Sequence, residues 1–166
     1  MCPCIASRIE RPPVERIRHD PCHRIRHVGI AIEKDILKHS NNWLAGSRKA
    51  EKAKEEWFEL PREVLRAIPG LQLKEMYRIK GDSFCCGAGG GVKAQFSDMA
   101  LATAKERLKE ASTTGAQVLL TSCPFCVTNL SDGIKALKEE EAQTHKKLPG
   151  SDLEVVELLQ LLDQLI

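Results

Sequence analysis

Seven cysteines among 166 residues are the groups here best suited to chemistry: Cys2, Cys4, Cys22, Cys85, Cys86, Cys123 and Cys126. Cys85 and Cys86 are adjacent, and so short a link strains disulfide geometry. Two neighbouring thiolates can instead serve one polynuclear metal site. Gly87-Ala88-Gly89-Gly90-Gly91 follows them. Lacking Cβ atoms, these glycines let the backbone take positive φ and pass close to a bulky inorganic group. Successive N–H groups in such a loop form a nest for anionic sulfur, so Gly87, Gly89, Gly90 and Gly91 are candidate cofactor-binding residues. A phosphate loop would end in Gly-Lys-Ser/Thr, and Gly91-Val92-Lys93-Ala94 breaks that pattern.

Cys123-Pro124-Phe125-Cys126 follows Val118 to Thr121, a short apolar run suited to a buried parallel strand. Val127, Leu130, Ile134 and Leu137 then step as one helical face, so a helix begins at Pro124. Its dipole and free N–H groups favour thiolate at the pair. Cys22 follows Val14 to His19, which reads as a strand stopped by Asp20-Pro21. His19, His23 and His27 recur every fourth residue, a zinc-like spacing, but the Asp-Pro break keeps one helix from carrying all three. His23, beside Cys22, reads better as a hydrogen-bond donor or proton carrier near a charged site, with a structural or solvated histidine as the alternative. Cys2-x-Cys4 is too short a motif to imply metal, and incidental thiols are the plainer reading.

The rest of the chain supplies the elements that must position these groups. Residues 1–13, with Pro12-Pro13, read as a tail or interface arm. Arg16 and Arg18 alternate with Ile17 as the solvated face of an edge strand would. Ala31 to Leu60 is charged and helix-forming, divided by Asn41-Asn42 and Gly46, with Trp43, Trp57 and Phe58 expected to pack on the domain. Arg62 to Ile68 reads as a short helix ended by Pro69-Gly70, and Leu71 to Met76 alternates as a strand. Ser97 is a candidate N-cap for a helix to Thr114, with an apolar stripe of Leu101, Ala104, Leu108 and Ala111 and Gly115 as its C′ residue. Residues 143–150 form a polar linker, Leu153 to Val156 a last strand and Glu157 to Leu165 a terminal helix.

This alternation predicts an α/β fold: a small parallel sheet of about four strands flanked by helices, with a helical insertion after the first strand. Right-handed crossovers place every strand's carboxyl end on one edge, where open α/β sheets bind ligands. The cysteines at 22, 85, 86, 123 and 126 each follow a predicted strand and should converge there.

Hydrophobic content of 42%, charged content of 29% and net charge +2 fit a soluble globular protein and give no push toward nucleic acid. No apolar run approaches the roughly 20 residues needed to span a bilayer. An odd cysteine count, a vicinal pair and the lack of a signal peptide point to a cytosolic metal or redox protein rather than a secreted disulfide scaffold. A thioredoxin-type pair has no use for three further thiols, and structural zinc normally leaves none over. Five thiols suit an iron–sulfur cluster better. Two other readings stay open. One is a zinc-stabilised interaction module with Ala31–Leu60 as a docking arm. The other is a metal-free thiol–disulfide oxidoreductase centred on Cys123 and Cys126.

His19-Asp20-Pro21-Cys22-His23, Phe84-Cys85-Cys86-Gly87-Ala88-Gly89-Gly90-Gly91 and Cys123-Pro124-Phe125-Cys126 together resemble the cysteine-rich CCG domain. That domain occurs in the B and D polypeptides of heterodisulfide reductase and in iron–sulfur components of glycolate and lactate oxidoreductases. Leu60-Pro61-Arg62-Glu63-Val64-Leu65-Arg66-Ala67-Ile68-Pro69-Gly70 extends the resemblance, which takes in most of residues 14–166 as a single domain. It implies an iron–sulfur oxidoreductase module holding a [4Fe-4S]-type cluster, cubane or noncubane. Cys22, Cys85, Cys86, Cys123 and Cys126 would be the ligands, in the service of disulfide reduction or electron transfer. His23 would give a proton to the leaving thiol of a small disulfide substrate. The implied partners are an electron-donating iron–sulfur or flavin subunit and a second CCG-bearing chain.

Two departures stand out. Sixty-two residues separate Cys22 from Cys85, whereas in the family this gap is usually little more than half as long. The charged stretch from Ile30 to Leu60 accounts for the excess, and loop closure entropy rises only slowly with such length. The 36 residues between Cys86 and Cys123 agree with the family. Family enzymes also usually carry two CCG domains, often behind a ferredoxin-like segment. The expectation here is therefore one component of a larger enzyme, a fragment or a stand-alone descendant.

Overall fold

The computed structural model describes residues 15–22 and 27–163. Four short strands, β1 (Glu15–Arg18), β2 (Gln72–Lys74), β3 (Val118–Thr121) and β4 (Glu154–Glu157), form one parallel sheet in the order β2-β1-β3-β4. Helices α1 (Gly29–Lys38) and α2 (Trp43–Arg66) lie between β1 and β2. Helices α3 (Val92–Gln95) and α4 (Ser97–Ser112) lie between β2 and β3, α5 (Pro124–Thr144) between β3 and β4, and α6 (Leu158–Asp163) after β4.

β3 is apolar at Val118, Leu119 and Leu120 and buried throughout, because it has a strand on each side and helices over both faces. Ile17 pairs with Leu119 in register, and the His19 N–H donates to the Leu120 carbonyl at 2.7 Å, carrying the ladder one residue beyond β1. Alternate side chains of a strand point to opposite faces. Ile17 and Leu119 accordingly join Ala104, Leu108, Leu130, Ile134 and Leu137 of α4 and α5 in one core. Val118 and Leu120 meet Leu65 of α2 and Leu158 and Leu161 of α6 in another. At Gly133 a Cβ would lie 2.9 Å from Leu108 Cδ1 and 3.1 Å from Ala104 Cβ, so a glycine lets α5 settle onto α4. Cys86 and Cys126 belong to that first core, so packing of the helix pair and placement of the thiols are one event.

Several expectations need correction. β1 is an interior strand, and Arg18 is not solvated: its side chain is 2% exposed and ion-paired to buried Asp20 at 2.8 Å. Strand-like alternation marks which residues share a face but not whether a partner element covers it. Asn42 does divide the charged stretch, accepting the Ala45 N–H at 3.1 Å as an N-cap. Gly46 does not divide it, and sits inside α2 where a Cβ would come within 2.7 Å of Ser40. The expected separate helix at 62–68 is the end of α2, which runs through buried Pro61. Tertiary contacts on both sides of Pro61 outweigh the lost backbone hydrogen bond. Ser97 is the first residue of α4 rather than its cap, and no side chain caps that end. Trp57 and Phe58 are half-buried as expected, whereas Trp43 is 74% exposed.

Candidate metal centre

Three chain segments deliver sulfur to the carboxyl edge of the sheet. β1 leads through His19-Asp20-Pro21 to Cys22, β2 leads through a 3-10 turn (Lys80–Asp82) to Cys85 and Cys86, and β3 leads through Ser122 to Cys123. The Sγ atoms of Cys22 and Cys85 are 3.8 Å apart, although 63 positions separate them in sequence. Cys86 adjoins Cys85 in the chain, and its Sγ lies within 4.8 Å of Cys126 Sγ. The result is a continuous run of sulfur from Cys22 to Cys126. A ring nitrogen of His19 and the Sγ atoms of Cys86 and Cys126 all lie within 4.8 Å of one another. Cys123 is the N-cap residue of α5, one turn before Cys126, half-buried against the same core. Among the described residues no two cysteines form a disulfide.

Crowding sets the chemistry of these thiols. Contact with Cys86, then burial, raises the Cys85 pKa far above the ordinary thiol value. The neighbouring Cys126 thiol, reinforced by burial, pushes Cys86 up to about 12. A second thiolate beside a first is unfavourable without a cation, so a bound metal would displace protons as it enters. The Gly87 N–H donates to Cys85 Sγ at 3.3 Å and favours the anion there. Gly87 has φ of +91°, and a Cβ would lie 2.7 Å from the Ala100 carbonyl oxygen, so both conformation and space demand glycine. An all-sulfur donor set of this kind fits an iron–sulfur group or zinc, and not a hard oxygen-seeking cation.

A buried polar frame holds the segments in register. Asp20 accepts from Arg18 Nε at 2.8 Å, from Arg62 Nη2 at 2.6 Å and Nη1 at 3.2 Å, and from the Lys80 backbone N–H at 2.9 Å. Its own carbonyl accepts from Ser83 Oγ at 2.8 Å. One residue thus ties the Cys22 loop to α2 and to the segment entering Cys85. Burial alone would raise the Asp20 pKa, but the Arg62 hydrogen bonds and charge, with Lys80, hold it at about 2. On the other side, buried Asn129 of α5 donates to the Cys86 and Ala100 carbonyls at 2.7 and 3.0 Å. Arg107 Nε donates to His19 Nδ1 at 3.1 Å, and burial, then the Arg107 charge, brings His19 down to about 3.

The family model of the CCG cysteine-rich domain matches residues 47–131 of this chain, just over half of it, including Cys85, Cys86, Cys123 and Cys126. The chain belongs to the CCG cysteine-rich domain family. Over 122 residues it is 43% identical to the D polypeptide of the dihydromethanophenazine:CoB–CoM heterodisulfide reductase of Methanosarcina acetivorans, covering 74% of this chain and 23% of that protein. It is 40% identical over 104 residues to FadF of Bacillus subtilis, named a "Probable iron-sulfur-binding oxidoreductase", covering 63% and 14%. Identity to the B polypeptide of the fumarate reductase (CoM/CoB) of Methanothermobacter marburgensis is 28% over 145 residues, covering 87% and 21%. The chain therefore spans less than a quarter of the length of these relatives.

Cys22 lies outside the matched segment of the CCG domain, yet the fold sets it against Cys85. All five cysteines singled out from the sequence are brought to one edge. Gly87 is at the thiols, while Gly89, Gly90 and Gly91 form an exposed turn that opens α3, with the Val92 N–H donating to the Gly89 carbonyl at 3.2 Å. His23, Cys2 and Cys4 lie outside the described residues, and His27 is exposed. Sequence reasoning missed the frame: Asp20, Arg62, Asn129, Arg107, and His19 as a neighbour of the thiols. Three of these carried a signal, since His19, Asp20 and Arg62 stand inside stretches that resemble the CCG domain. Asn129 and Arg107 adjoin the apolar stripes of their helices at Leu130 and Leu108 and read as ordinary polar helix residues.

Proposed function

We propose that this chain is an iron–sulfur oxidoreductase module of the heterodisulfide-reductase-like class. In this reading Cys22, Cys85, Cys86, Cys123 and Cys126 hold a [4Fe-4S]-type cluster, cubane or noncubane, for disulfide reduction or electron transfer. The observation that carries it is the convergence of thiols from three strand ends, with Cys22 and Cys85 at 3.8 Å, in a CCG-family chain. The names of its relatives, a heterodisulfide reductase polypeptide and an iron–sulfur-binding oxidoreductase, support the same class.

A bound cluster would supply one-electron chemistry at a potential set by its surroundings. The protein's residues would do the rest. The five thiolates hold the group, and the Gly87 N–H, with the N–H groups of the Gly89–Gly91 turn, offsets negative charge on sulfur. His23, next to Cys22 in sequence, holds the proton that a leaving thiolate of a small disulfide takes up. The charged stretch at 31–60 would be a helical insertion within a single CCG unit, and the arm expected at residues 1–13 lies outside the described residues. Partners would be an electron-donating iron–sulfur or flavin subunit and a second CCG-bearing chain. A reducing compartment, the cytoplasm, would keep the thiols ready for metal.

Anaerobic reconstitution with iron and sulfide, followed by counting of iron, zinc and acid-labile sulfide, tests this. About four irons per chain are expected for a cluster of this type. One zinc without sulfide, or no iron uptake by a folded chain, overturns it.

A further inference from the structure

The side chain of His19 is fully buried at the thiol cluster, and its two ring nitrogens are treated differently. Nδ1 lies 3.1 Å from Arg107 Nε. An arginine Nε can only donate, so Nδ1 must be the acceptor. The ring proton then sits on Nε2, which is buried and has no hydrogen-bond partner among the described residues. Arg107 cannot turn away readily, because its Nη1 donates to Glu110 Oε2 at 2.9 Å and to the Arg78 carbonyl at 3.0 Å. Arg78 is held in turn, its own N–H and Nε donating to Glu110 at 2.7 and 2.8 Å. Its guanidinium lies 4.0 Å from the centroid of the Phe84 ring, next to Cys85.

This arrangement is the reverse of a metal-binding histidine. Such a ligand gives one nitrogen's lone pair to the metal and donates N–H from the other, usually to a carboxylate or carbonyl. In His19 the lone pair is already engaged by Arg107, and what remains is an N–H. The ring lies beside sulfur, with one of its nitrogens within 4.8 Å of the Cys86 and Cys126 Sγ atoms, and thiolate sulfur is an acceptor for such an N–H.

We infer that His19 is a positioning residue of the cluster site, whose Nε2–H, oriented by Arg107, is left to donate a hydrogen bond to the Cys86 and Cys126 thiolates once they hold the cluster, rather than binding metal. The inference rests on the iron–sulfur reading above. Hydrogen bonds to cluster sulfur stabilise the more negative, reduced state and raise the reduction potential. His19 is thus a built-in control on the electron affinity of the site, fixed by a cation two contacts away and not by exchange with solvent.

Three measurements test it together. First, ¹⁵N NMR of the metal-free, histidine-labelled protein should show His19 in the Nε2–H tautomer, and an Nδ1–H tautomer overturns the inference without reference to any cluster. Second, reconstituted His19→Leu should keep its iron content while its midpoint potential falls by about a tenfold change in the reduced-to-oxidised ratio, about 59 mV for one electron. Third, His19→Gln, which keeps an N–H near the Nε2 position, should recover most of the shift. Loss of iron in a folded His19→Gln chain would make His19 a ligand and sink the inference, as would an unchanged potential in loaded His19→Leu. Failure of the unmodified protein to load iron removes the iron–sulfur reading, and the inference with it. Should His19→Leu not fold, the tautomer and the His19→Gln iron content still decide the matter.

Discussion

The thiol edge and the α1–α2 hairpin are both rich in charge, yet they use it in opposite ways. On the hairpin, Lys52 and Glu56 are paired at 3.8 Å with both side chains largely exposed, and Arg48 is exposed as well. Solvated pairs of this kind contribute about 0–1 kcal/mol. At the edge, Arg18, His19, Asp20, Arg62 and Arg107 are essentially shut off from water and held by hydrogen bonds within the frame. Arg48 and Arg62 lie on the same helix, so residue type and helical context do not set the difference. What sets it is whether the turn beneath has a strand end to clamp. Length can be added to the hairpin cheaply, provided that α2 still delivers Arg62 to Asp20.

The sharpest way to separate the two regions is to remove a thiol. Cys86→Ala should abolish cluster binding, read as loss of the visible absorption and of iron after reconstitution, while leaving the hairpin folded by circular dichroism. Retention of iron at the level of the unmodified protein would deny Cys86 its ligand role. Next in size is Arg62→Ala. It leaves the buried Asp20 carboxylate short of its main partner and should cost about 3–5 kcal/mol in urea unfolding of the metal-free chain. A cost under about 1 kcal/mol would mean that water or Arg18 replaces it and that Asp20 is no clamp.

Acid offers a third contrast. The folded-state pKa of Asp20 is about 2, below the ordinary 3.8. A depressed carboxylate contributes stability that is present above its unfolded pKa and lost as pH falls through its folded one. The metal-free chain should therefore lose on the order of 2 kcal/mol from this group between about pH 4 and pH 2. Asp20→Asn should flatten that part of the curve, at the expense of lower stability at neutral pH. An unaltered acid limb would place the sensitivity elsewhere.

Much of the fold was legible because the sheet and its covering helices are patterned by burial. Val118 to Leu120 is continuously apolar, and Leu130, Ile134 and Leu137 step along a single face, so the strand and α5 follow directly. The convergence of cysteines was legible too, through one topological argument: parallel strands end on the same side. The frame behind the thiols was not. A buried arginine and an exposed one look alike in sequence, and only the opposing carboxylate, 42 positions away for Arg62 and Asp20, tells them apart. Pro61 misled for the same reason, since its tertiary surroundings hold α2 together where local propensity predicts a break. The role of His19 needed more still, namely which ring nitrogen faces Arg107.

The hairpin tip supplies the smallest effect and the firmest check on the contrast. Trp43 is 74% exposed in the first turn of α2, and Asn42, not Trp43, caps that turn. Removing an exposed side chain that closes no cavity and breaks no buried hydrogen bond should change stability by less than about 0.5 kcal/mol. Trp43→Ser should accordingly unfold with the same urea midpoint as the unmodified chain and load the same amount of iron. A clear loss of stability would show that the aromatic ring is covered in solution. The hairpin would then have a partner surface of its own, and its length would no longer be cheap. Equal stability would leave Arg62 as the point where this helix begins to matter to the site.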